Sequence, residues 1–188
     1  MICMKQKWEL DAISPTEYHA VEAERGREFI LRLTTGADVF LALQKFAIDR
    51  GIRFAKIHAA FMGGLQPAKF WMWAPDTRDP KNWHNESQAT VQNLSMILSM
   101  SGIIHPRTKG GKEEPFPAIH FVTGGAWDVP TIGGHLTEGT IVKGICEVFV
   151  TEILGIDVLL PSEVTPNEEA PENWYRNVSS QEKRPRKG

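Results

Sequence analysis

The residues most capable of chemistry lie between Pro117 and Glu152, in the stretch PAIHFVTGGAWDVPTIGGHLTEGTIVKGICEVFVTE. His120 sits inside an apolar run, and His135 follows directly after the Gly133-Gly134 pair. An imidazole can ligate a metal, exchange a proton near neutral pH or hydrogen-bond through either nitrogen. Two of them brought onto one surface are therefore the first candidate site. A zinc centre takes four protein ligands, or three plus water, so this pair needs further donors. His58 and His105 are the candidates for a third imidazole, from this chain or another copy. Glu147 is a candidate carboxylate ligand, unless it pairs with Lys143 or Lys56. The competing reading is structural, with both imidazoles hydrogen-bonded to loop carbonyls around the glycines.

Other catalytic signatures are missing from the sequence. It contains no G-x-S-x-G elbow, no phosphate-binding P-loop, no G-x-G-x-x-G and no H-E-x-x-H. Cys146 has apolar neighbours in ICEVF that raise its thiol pKa and keep it inert. No residue is assigned a catalytic role.

The elements that must position the two histidines are strands. Residues 118–123 and 140–153 are rich in Val, Ile and Phe, and Gly124, Gly125, Pro130, Gly133 and Gly134 punctuate the segment between them. That pattern predicts strand, loop, strand. Upstream, residues 18–23 and 28–33 read as a hairpin turning at Arg25-Gly26. A helix is predicted between Asp38 as N-cap and Gly51 as C-terminal stop, with Val39, Phe40, Leu43, Phe46 and Ala47 on one face and Lys45, Asp49 and Arg50 in water. Residues 52–62 form a strand, with Lys56 and His58 on one side and Ala55, Ile57, Ala59 and Phe61 on the other. Gly63-Gly64 turns the chain into a strand over 65–73, whose Phe70, Trp71 and Trp73 serve a core or a subunit interface. Residues 74–83 are a loop leading to a solvated His84, 90–104 are β-compatible with Gly102 ending or bending them, and 105–117 form a mobile hairpin carrying Arg107, Lys109 and Lys112.

Length and composition bound the whole. With 188 residues, 41% of them hydrophobic, the chain fits one core and one domain. We divide it into an N-terminal arm (1–15, with Trp8), a domain (16–160) and a Pro/Glu-rich tail (161–188) that is extended or disordered. The tail ends in EKRPRKG, where Lys183, Arg184, Arg186 and Lys187 can touch DNA phosphates or simply solubilise the chain. A net charge of −2 supplies no global attraction to nucleic acid, so DNA contact requires a local patch such as Lys109 and Lys112 or the tail. Two cysteines, Cys3 and Cys146, fit a reducing cytoplasm rather than a disulfide scaffold. No apolar run is long enough for a membrane span, and no secretory signal is expected.

The succession REFILRLTTGADVFLALQKFAIDRGI, AKIHAAFMGGLQPAKF, LSMILSMSGII, AIHFV and IGGHLTEGTIVKGICEVFVTE resembles the plant-and-prokaryote-conserved (PPC) domain over roughly residues 24–160. The resemblance implies an α+β fold, a mostly antiparallel sheet with one main helix packed on it, assembled as a homotrimer. Plant relatives are nuclear and bind AT-rich DNA through a separate AT-hook with an R-G-R-P core; KRPRK here keeps the charge without the glycine. The resemblance also implies a three-histidine metal site, an H-x-H pair followed by the GGH histidine. Here the pair reads Ala118-Ile119-His120, leaving His120 and His135.

Three functions follow. The first is a trimeric DNA-binding or regulatory protein, whose threefold symmetry adds up weak basic patches. The second is a metal-dependent enzyme or small-molecule binder using a divalent metal such as zinc at a subunit boundary. The third is a scaffold whose trimer serves protein partners through an exposed apolar patch. The family resemblance favours the first.

Overall fold

The computed structural model describes residues 20–61, 63–75, 83–109, 112–125, 129–158 and 175–178. One helix, α1 (Val39–Arg50), begins where Asp38 accepts the Leu41 N–H at 3.1 Å. The same carboxylate accepts the Gly139 N–H at 2.6 Å, so one side chain caps the helix and ties down a distant loop. Gly51 ends α1 in the left-handed region at φ 61°, which glycine adopts without steric cost. Val39, Phe40, Leu43 and Ala47 form the buried stripe.

The apolar face rests on a nine-stranded sheet. Its strands are β1 (Glu24–Thr34), β2 (Ala55–Phe61), β3 (Gly64–Leu65), β4 (Ala68–Pro75), β5 (Trp83–Val91), β6 (Ser95–Lys109), β7 (Lys112–Gly124), β8 (Ile132–Leu136) and β9 (Ile145–Leu154). The spatial order is β1-β9-β2-β6-β7-β8-β4-β5, with β3 beside β6. The paired registers are antiparallel. Leu43, Ile57, Ile104, Ile119, Leu136, Val148 and Val150 fill the core, and Phe70 stacks on Phe121 at 4.4 Å and 10°. Each such side chain contributes roughly 1.5–3 kcal/mol by leaving water. The fold is thus one mostly antiparallel sheet with a single helix, all held within the compact unit Gly26–Glu152 and the strand ends flanking it.

Several local expectations are corrected. Residues 24–34 run through Arg25-Gly26 as one strand, so no hairpin turns there. Gly64 and Leu65 form the short strand β3 instead of a bare turn. Gly102 does not end β6, which continues to Lys109; the expected hairpin is there, 105–109 pairing with 112–116, but its His105 is only 7% exposed. Pro106 stands opposite Pro115 there, while Pro117 faces Ile104 and Gly102 faces Ile119. His84 lies in β5, and His135 lies in β8. Within the tail, Tyr175–Asn177 forms β11, paired with β10 (Ile156–Val158), so that part is not unstructured. The arm with Trp8 lies outside the described residues.

Candidate functional site

The two glycines before His135 explain how β8 fits between its neighbours. A Cβ on Gly134 would lie 2.9 Å from Met72 Cγ and 3.0 Å from the Trp71 carbonyl, and one on Gly133 would lie 3.0 Å from Val122 Cγ2. A side chain at either position would crowd β7 or β4, whose neighbouring atoms would have to give by a few tenths of an ångström. The resulting register sets His120 opposite His135, and His135 opposite Trp71.

The two imidazoles are perpendicular, 82° apart in plane, with ring centres 5.2 Å apart. Trp71 meets His135 edge-on at 5.5 Å, and Phe116 stacks on it at 6.0 Å and 18°. Burial, then the nearby charges of His120 and His105, push the His135 pKa down to about 4. His135 is therefore neutral at physiological pH, with one nitrogen free of a proton. His120 is exposed beside it.

Two imidazoles at the tetrahedral angle on one ion, with metal–nitrogen distances of about 2.0–2.1 Å, hold their ring centres roughly 5 Å apart. The His120–His135 pair fits two positions of such a site. The other candidates do not join it. His105 packs against Phe116, ring centres 5.7 Å apart, and its Nδ1 is 3.0 Å from the Pro106 carbonyl. His58 is engaged with Thr151. Glu147 pairs with Arg32 at 2.9 Å, rather than with Lys143 or Lys56. Among the described residues, no group of three or more His, Cys, Asp or Glu converges on a common point.

The basic candidates are likewise separated. Lys109 and Lys112 pair at the turn end of the β6–β7 hairpin, both exposed. Next to them, Glu113 pairs with Arg53 at 3.0 Å and Glu114 with Arg107 at 3.6 Å, so the hairpin carries alternating signs. Lys183, Arg184, Arg186 and Lys187 lie outside the described residues. Burial first, and Glu147 second, push the Cys146 thiol up to about 11, leaving it unreactive.

Sequence reasoning missed Phe116, over which the Arg107 guanidinium sits at 4.1 Å, and the pairing of Trp71 with His135. An aromatic at either position reads as core until the register is known. Thr151, the partner of His58, and Glu28, which accepts from Thr151, carry no local signal at all.

Solved structures share this fold. A metal-containing protein from Archaeoglobus fulgidus is 29% identical, with a TM-score of 0.57 over 72% of this chain and 86% of that one. A PPC protein from Pyrococcus horikoshii is 22% identical, with a TM-score of 0.58 over 73% and 86%. A supposed DNA-binding protein from Ralstonia eutropha is 24% identical, with a TM-score of 0.53 over 75% and 86%. Curated protein sequences return no match. The family profile of the Plants and Prokaryotes Conserved (PCC) domain matches residues 20–154, and the chain belongs to that family.

Proposed function

We propose that His120 and His135 are the functional centre and bind a divalent metal such as zinc, whose remaining positions take solvent, a small-molecule ligand or a donor from another copy. The observation that carries this reading is their pairing across one rung of the β7–β8 ladder at 5.2 Å. A ligating imidazole must be unprotonated, and the depressed pKa of His135 keeps it so well into acid. The similarity to a metal-containing protein supports it. A bound metal would polarise a carbonyl or activate water. The chain itself holds the two rings at a fixed angle, and Trp71 and Phe116 screen His135 from solvent. Elemental analysis of the purified protein beside His120→Ala and His135→Ala tests this. Near-stoichiometric metal in the parent, lost from both variants, is expected. A parent that takes up none on dialysis sinks it.

A second reading is a DNA-binding or regulatory protein acting as a homotrimer. Lys109 and Lys112 side by side at a hairpin end favour it, together with the basic tail and the name of the Ralstonia relative. Self-association is supported by Phe61, Leu94, Met96, Leu98 and Ile145, large apolar side chains left exposed. Three copies would multiply each weak patch. Duplex binding should weaken steeply with salt and lose much of that slope without residues 179–188. Salt-independent retention, or none, counts against it.

A further inference from the structure

His58 stands at a β-bulge. The β2–β9 register runs to Ile57 opposite Val150 and resumes at Ala59 opposite Phe149, so His58 is the extra residue. Bulges re-aim side chains and recur beside functional sites. Here the bulge turns the imidazole towards β9, where its Nε2 lies 2.5 Å from the Thr151 hydroxyl. That hydroxyl is 2.9 Å from both carboxylate oxygens of Glu28 on β1, and Thr151 is only 4% exposed.

The proton count on this chain of groups is fixed. A threonine hydroxyl has one proton and a carboxylate only accepts. Thr151 therefore donates to Glu28 and accepts from His58, whose Nε2 must carry its hydrogen. The neutral ring is left with its lone pair on Nδ1. Lys56 precedes it by two residues and stands directly opposite Thr151 in the β2–β9 register. Lys56 is exposed and forms no ion pair among the described residues. Around His58, β1 presents Glu28, β9 presents Thr151, β2 presents Lys56, and β6 presents Ile103 opposite Lys56. His120 lies two strands further on.

A cation next to an imidazole that can only accept recognises an anion bearing its own O–H. We propose that Lys56 and His58 form a second ligand site, for inorganic hydrogenphosphate, with Lys56 donating to an anionic oxygen and the P–OH donating to His58 Nδ1. Glu28 and Thr151 act as positioning residues that hold the tautomer. Sulfate and phosphodiesters have no such proton near neutral pH, and phosphate monoesters, with a second pKa of about 6, have mostly lost theirs at pH 7.5.

The test is nitrogen-resolved NMR of the full chain at pH 7.5 and constant ionic strength. His58 should appear as the Nε2–H tautomer, and inorganic phosphate should shift its signals saturably, at least tenfold more tightly than sulfate, dimethyl phosphate or glycerol phosphate. Lys56→Gln should weaken phosphate at least fivefold. Thr151→Val should release the tautomer and erase the preference for phosphate over sulfate, whereas Thr151→Ser, which restores the hydroxyl, should keep both. An Nδ1–H tautomer in the parent, equal binding of phosphate and sulfate, or no saturable shift overturns the proposal. So does monoester binding equal to phosphate, which would mean that charge alone is read.

Discussion

His120 and His135 occupy one rung of the β7–β8 ladder, their rings perpendicular and 5.2 Å apart between centres. The glycines before His135 leave room beside Met72, Trp71 and Val122, which a Cβ at either position would crowd.

His135 should make stability fall in mild acid. Its pKa drops from 6.5 to about 4 on folding, so between those values the unfolded chain holds a proton that the folded chain does not. The contribution is complete above pH 6.5 and is lost progressively as pH falls towards 4. The full shift corresponds to about 3 kcal/mol, reduced to roughly 1–2 kcal/mol because the ring is partly solvated. Urea midpoints from pH 4 to 7 should show this slope, and His135→Gln should flatten it.

Asp38 caps α1 and holds the Gly139 loop with the same carboxylate. Asp38→Ala should cost about 1–2 kcal/mol, with Asp38→Asn recovering part of it. Equilibrium denaturation checks the order. An alanine variant as stable as the parent would contradict the double role.

Gly102 sits where β6 touches β7, with a Cβ there falling 2.3 Å from the Ala118 carbonyl oxygen. Gly102→Ala should separate the strands and cost roughly 1–3 kcal/mol. Because Ser101 is the cross-strand partner of His120, the variant should also shift the His120 ring signals. Thermal melts and histidine NMR report the two effects independently.

Leu98 is 61% exposed, its side chain beside Gly124. Leu98→Glu should leave the fold within about 0.5 kcal/mol of the parent. Sedimentation should show an oligomeric parent and a monomeric variant. Equal masses would remove Leu98 from any role in self-association.

The sequence by itself determined the helix and its two caps, because Asp38, Gly51 and the stripe of Val39, Phe40, Leu43 and Ala47 act within a few residues of each other. It also determined the family and the apolar surroundings that raise the Cys146 thiol pKa. Register was decided only in three dimensions. A strand's partners are set by long-range pairing, so nothing near His58 announces Thr151 and Glu28, and nothing near Glu147 announces Arg32. The bulge at His58 likewise left Ala59 and Phe61 exposed against their alternating pattern, since one extra residue reverses which side faces the core. Phe116 meets both His105 and His135 for the same reason: which side chains meet across a sheet depends on where each strand stops sliding, and packing of the whole core fixes that.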